Sequence, residues 1–204
     1  MRAVGRVAAE DRRQQLIEAA IRVAERDGIA ATTTRRIAAE AGARLATVHY
    51  CFRSKQELFE GVLTAIITEL ADAAQGDLRP GVDARTLLNE GLRALWLIVE
   101  KEPGKQQLTY ELTHHALRQP GMQSFARWQY ETSYAACAAH LKGIALAAGI
   151  TWSLPMPVLA RMLMTVVDGV VLGWLVDRDS PAALAALDAL ADLLATLAVP
   201  PAPA

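Results

Sequence analysis

The sequence is short of several things at once. It has 2 cysteines in 204 residues and 5% aromatics, and its 21 Lys and Arg against 22 Asp and Glu leave a net charge of −1. Cys51 and Cys137 stand far apart and in no CxxC spacing. That excludes a disulfide scaffold and fits buried thiols in a reducing compartment. A long uncharged run without helix breakers is also missing. The longest stretch free of Lys, Arg, Asp and Glu, Gly143 to Ala160, is broken by Gly149, Trp152, Ser153, Pro155 and Pro157, so it should not cross a bilayer as a helix. The opening MRAVGRVAAEDRRQQ has no apolar core of signal-peptide length. These absences predict a soluble, cytoplasmic chain with no membrane partner. Taken whole, the near-zero charge also gives no hint of a nucleic-acid partner, since a bare DNA-binding domain is usually strongly basic.

What is present is helix-forming material. Apolar residues make up 52%, and Ala and Leu alone supply about a third of the chain. Leu16, Ile17, Ala20, Ile21 and Ala24 recur at helical spacing before Gly28, predicting a first helix over about 11–27. Short helices follow at about 34–41, stopped by Gly42, and 45–51. Ser54-Lys55-Gln56-Glu57 reads as a capping box, with Ser54 bonding the Glu57 amide and Glu57 reaching back to that of Ser54. It opens a helix over about 55–74 with Leu58, Val62, Leu63, Ile66, Ile67 and Leu70 on one face. After the linker Gln75 to Gly81, further helices are predicted at about 83–101, 105–118, 121–148, 155–177 and 181–197. No strand alternation persists, so the fold class is all-α. The charge is divided unevenly: residues 1–60 carry 11 basic and 8 acidic side chains, a net of +3, and residues 61–204 a net of −4, which suggests two functions along the chain.

The stretch from Thr33 to Phe52 carries the chemistry. Two short helices joined at Gly42 form a helix-turn-helix pattern, whose second helix can lie in a DNA major groove while flanking groups grip phosphate. Ile37, Ala38, Ala41, Leu45 and Val48 can close its small core. Arg44, Thr47 and His49 then face outward, and all three can contact base edges. Lys55 adds a separate argument. A cation in the first turn of a helix opposes the macrodipole at a cost of about 0.3–1 kcal/mol, and a DNA phosphate at that helix start would reverse the sign. The plainer alternative is a solvated lysine after a capping serine, since αα-hairpins with a turn glycine occur in many bundles.

Thr34-Arg35-Arg36-Ile37-Ala38, Ala41-Gly42, Thr47-Val48-His49-Tyr50-Cys51-Phe52 and Ser54-Lys55-Gln56-Glu57-Leu58 together resemble the DNA-binding domain of the TetR family of bacterial transcriptional regulators, over about residues 11–60. The resemblance implies an N-terminal three-helix DNA-binding domain with a helix-turn-helix over 8–55, leading into a connecting helix to about 74. It implies a helical ligand-binding and dimerisation domain over 76–199, before a disordered tail at 200–204. It places Arg35, Arg44, Leu45 and Thr47 near base edges, and Thr34, Tyr50 and Lys55 near phosphate, with Thr33 at the head of the same segment. Two positions depart from the family pattern. Arg44 stands where a small polar cap is common, and leaves the second helix without a side-chain N-cap. His49 stands where a Tyr is common. Arg2 and Arg6, in an N-terminal arm, could enter a minor groove or simply solubilise it.

In the second domain the helix at 155–177 is apolar almost all round, and that at 181–197 has a wide apolar face, more than one core needs. The expectation is a homodimer pairing these two helices with their copies, matching a palindromic operator; a single large core is the alternative. Trp96, Tyr110, His114, His115, Met122, Phe125, Trp128, Tyr134, Met162 and Trp174 gather the bulky side chains of this domain. Each alone suits core packing. As a set, and given the resemblance, they suit a pocket for a small, largely apolar or aromatic effector whose binding weakens DNA binding, as in a repressor. Glu111, His114 and His115 share a helix, but the two histidines point about 100° apart, and no nearby Cys or His completes a metal set. No metal or other cofactor is expected. GxSxG, a phosphate-binding Gly-rich loop and HExxH are all absent, so no catalytic residues are assigned. A helical ligand carrier or an enzyme without a DNA role is the other class of reading, and it would not need the basic segment 33–55.

Overall fold

A computed structural model describes residues 2–76 and 78–201, with backbone only for 2–9. The end of the predicted disordered tail, 202–204, and the side chains of Arg2 and Arg6 lie outside the described residues. The described chain is all-α: α1 (Arg2–Asp27), α2 (Thr34–Glu40), α3 (Leu45–Cys51), α4 (Lys55–Gln75), α5 (Ala84–Lys101), α6 (Pro103–Arg118), α7 (Gln123–Ala148), α8 (Met156–Asp177) and α9 (Ser180–Ala195). The one departure is a pair of two-residue antiparallel strands, Thr151–Trp152 with Ala198–Val199. They are too short to show as alternation in sequence. The first helix also starts well before residue 11, because residues 2–10 are mostly Ala, Val and Arg, with no proline and only the single Gly5 to interrupt them.

By packing, the chain forms two compact units. One holds residues 1–66 and 104–129, the other 67–103 and 130–204. In the first unit, α1 and α2 pack together, α2 on α3, and α1 on α3. Leu16, Ile21, Val23, Ile37, Val48, Phe52, Leu58 and Leu63 are buried there. Ala41 and Leu45, expected to help close this core, are half-buried. The turn between α2 and α3 is a Schellman motif. Gly42 adopts φ +60°, its amide donates to Ala39 O at 3.1 Å, and the Ala43 amide reaches back to Ala38 O at 2.8 Å. Only glycine takes that φ without strain.

In the second unit α5 packs along α9, and α8 against α9. Trp96, Leu88, Leu141, Ile144, Leu159, Leu187 and Leu194 form the buried interior. α8 is long and apolar enough to cross a membrane by length and composition, and 28% of its most apolar window is buried. Val158, Val166, Leu172 and Val176 of α8 and Leu193 of α9 are exposed. Both cysteines are free thiols and only half-buried, rather than fully buried as their spacing suggested. Burial nonetheless pushes the Cys137 thiol up to about 11.

Candidate nucleic-acid interface

The helix-turn-helix is built on caps. Thr33 accepts the Arg36 amide at 3.3 Å and so starts α2. Arg44 caps α3 by backbone position alone, with no side-chain hydrogen bond, as its departure from a small polar residue implied. Ser54 accepts the Glu57 amide at 3.0 Å and starts α4. The return half of the expected capping box differs. Glu57 Oε2 takes the amide of Arg53 at 2.8 Å, not that of Ser54, while Oε1 accepts Arg13 at 3.2 Å. With one oxygen engaged by Arg13, the carboxylate takes the amide one residue earlier than a capping box would. The Arg53 amide, with Arg13 adding to it, holds the Glu57 pKa below the usual carboxylate value.

Charged side chains on this unit fall into two groups. Arg22 and Arg26 both bind Glu40, and Arg26 and Arg36 bind Asp27, at 2.9–3.2 Å. The pairs to Glu40 and the Arg36–Asp27 pair join α2 to α1, while Arg26–Asp27 lies within α1. Arg22 and then Arg26 hold the Glu40 carboxyl below its ordinary pKa. Arg35, Arg44 and His49 are exposed and have no side-chain partner among the described residues. Tyr50 is 84% exposed, an unusual setting for an aromatic ring on a folded surface. Val48 is the buried anchor of α3, with Leu45 and Thr47 half-buried beside it. Lys55 opens α4 with its Nζ 5.1 Å from the Phe59 ring centroid, and burial lowers its ammonium pKa. Arg44 at the head of α3 and His49 and Tyr50 on it thus present exposed donors, with Thr33, Thr34 and Lys55 at the starts of α2 and α4.

Sequence reasoning missed Arg13. Its guanidinium donates to the Cys51 carbonyl at 2.7 Å and to Glu57 at 3.2 Å, and stacks 4.2 Å from the Phe52 ring centroid. The available signal was an arginine one turn ahead of Leu16 and Ile17 on the face that packs inward. Glu111 stands on α6 with His114 and His115, the residue types of a metal ligand set. It accepts the Ile29 amide at 3.2 Å instead, and no group of three or more His, Cys, Asp and Glu suited to a metal occurs among the described residues.

The bulky residues of the expected effector pocket fall in both units. In the second, Trp96 and Trp174 meet edge to face at 5.2 Å, Tyr134 packs on Tyr130 at 5.9 Å, and Met162 is half-buried. In the first, Phe125 and Trp128 lie 5.9 Å apart, Tyr110 and Met122 are half-buried, and His114 and His115 are exposed.

Residues 16–62, from the buried face of α1 into α4, match the profile of the bacterial regulatory proteins of the tetR family. Over 176 residues the chain is 30% identical to the HTH-type nicotine-responsive transcriptional repressor HdnoR of Paenarthrobacter nicotinovorans, covering 86% of this chain and 90% of that protein. Among solved structures it is similar to the multidrug binding protein EbrR complexed with imidazole. The TM-score is 0.62 at 29% identity, over 95% of this chain and 97% of that one. A TetR transcription regulator from Haloarcula marismortui shares the fold with a TM-score of 0.68 at 22% identity, over 93% and 100% of the two chains. A capped helix-turn-helix bearing free donors, and likeness along nearly the whole chain, lead to one conclusion: the protein belongs to the TetR family of DNA-binding transcriptional regulators.

Proposed function

We propose that the protein is a repressor that binds a palindromic operator as a homodimer and leaves it when a small, largely apolar or aromatic effector binds. The observation that carries this reading is the set of exposed donors at the head of α3 and on it, Arg44, His49 and Tyr50, which have no side-chain partner among the described residues and are held on the Gly42 turn. Arg35, Arg44, Leu45, Thr47 and His49 face base edges in this reading, and Thr33, Thr34, Tyr50 and Lys55 face phosphates. Residues 8–55 form the reading domain, α4 connects onward to about residue 74, and residues 76–199 sense the effector and dimerise.

The exposed apolar residues of α8 and α9 supply a face that a second copy would cover. Two groups of bulky residues offer contact area for the effector: Trp96, Tyr134, Met162 and Trp174 in one unit, and Tyr110, Met122, Phe125 and Trp128, with His114 and His115 as polar anchors, in the other. The relative HdnoR is named for nicotine and EbrR was solved with imidazole; both names fit a compact nitrogen heterocycle as the effector class. α6 carries the signal in this reading. Its Glu111 holds the Ile29 amide, and a Cβ on its Gly104 would come within 2.8 Å of Glu25. A shift of α6 would therefore move the end of α1 and the loop into α2.

Selection of bound duplexes from random DNA tests the reading. It predicts a two-fold symmetric consensus, with affinity that falls steeply with salt. Addition of nicotine-like heterocycles should then release the duplex. Binding without sequence preference, or indifferent to salt, would sink it.

A further inference from the structure

α3 has seven residues, so its C-terminal carbonyls have few partners within the helix. The Val48 carbonyl takes the Phe52 amide at 2.9 Å. The Cys51 carbonyl takes the Arg13 guanidinium at 2.7 Å. A cation at that end also meets the negative pole of the helix. The same guanidinium stacks on buried Phe52 and bonds Glu57, which in turn holds the Arg53 amide. One side chain from α1 therefore clasps the last residue of α3, the residue after it, and the first turn of α4. Tyr50, proposed to meet phosphate, directly precedes the clasped Cys51, and Lys55, proposed likewise, lies two residues before the clasped Glu57. Arg13 is itself partly buried and spent on these three contacts, so it is not aimed at a ligand.

We propose that Arg13 is a positioning residue for base reading: it sets the angle between the recognition helix α3 and the start of α4, and so fixes the reach of Arg44 and Thr47 relative to the phosphate-gripping Lys55. This rests on the reading of α3 as the base-contacting helix. Loss of the clasp leaves the positive charge of the DNA face in place but lets α3 tilt. Affinity for the correct sequence should fall, while sequence-independent attraction to the backbone should persist.

The test uses the full chain and a duplex selected from random DNA by the wild-type protein, beside a scrambled duplex of equal length. Arg13→Met keeps the stem and removes the fork; Arg13→Lys keeps the charge on a single donor. The expected result for Arg13→Met is a loss of about tenfold or more on the selected duplex. Binding to the scrambled duplex should change little, and the slope of log K against log salt should not change. Arg13→Lys should fall between Arg13→Met and wild type. If Arg13→Met does not fold, Arg13→Lys carries the same readouts. A slope reduced by about one would make Arg13 a phosphate contact and overturn the proposal. So would full affinity in the variants, or equal losses on both duplexes that track the unfolded fraction. Failure of the wild type to select any sequence would instead strike the reading of α3 on which the proposal stands.

Discussion

His140 shows what a single side chain can reveal. It is buried on α7, neither ring nitrogen has a hydrogen-bond partner among the described residues, and burial pushes its pKa down to about 4. A Cβ placed on Gly91 of α5 would come within 2.8 Å of its ring and 2.6 Å of the Ala74 carbonyl, so the imidazole fills a space that exists because position 91 has no side chain. The ring is neutral in the fold but takes a proton near pH 6.5 once unfolded. The unfolded state thus binds the extra proton, and acid favours it. Stability should be unaffected by this group above pH 6.5 and decline by up to about 3 kcal/mol between pH 6.5 and 4. Urea unfolding at pH 7 and pH 5 checks this: His140→Leu should flatten the difference. A variant as acid-sensitive as wild type would place the loss elsewhere. Nothing in the sequence marked this histidine, because burial without partners is a property of three helices meeting.

At the level of elements, the helix-turn-helix was legible because its determinants are local. Gly42, the capping Thr33 and Ser54, and the apolar spacing of Ile37, Ala38 and Val48 act within a few residues of one another. Helices α2 to α9 fell within about two residues of their expected ends for the same reason. Contacts between elements were less legible. The Arg13 clasp spans 38 residues to Cys51, and the bond from Ile29 to Glu111 spans 82; periodicity carries no such information. The packing of residues 104–129 in one unit with the N-terminal helices was equally hidden. Gly42→Ala tests the local part. A Cβ there meets no atom within 4 Å, so its cost is the left-handed backbone alone, about 1 kcal/mol. Thermal unfolding should show that modest loss. A neutral substitution would mean that the turn relaxes without the glycine.

For the whole molecule, the net charge of −1 conceals a basic reading segment and an acidic remainder. The Ala- and Leu-rich composition has a similar double meaning, since some of the apolar surface it supplies is not buried within the chain. Leu172 is 49% and Val176 83% exposed on α8. The proposed homodimer would cover them. Leu172→Glu with Val176→Glu should leave the helical content intact and convert the protein to a 22.0 kDa monomer in light scattering, with operator affinity lost alongside. A wild-type protein already monomeric at micromolar concentration would remove the dimer from the account. The bulky residues proposed for the effector were visible as a group in the sequence, but their distribution between two units was not, because grouping in sequence is not grouping in space.

The central claim is that α3 reads bases while the start of α4 holds the backbone. It is tested most directly by comparing Arg44→Ala and Lys55→Ala on the selected duplex and on single-base variants of it. Arg44→Ala should erase discrimination at particular base pairs, worth about 1–3 kcal/mol each. Lys55→Ala should weaken binding to every duplex alike and lower the salt slope by about one. Equal effects of the two substitutions on all sequences would contradict the account.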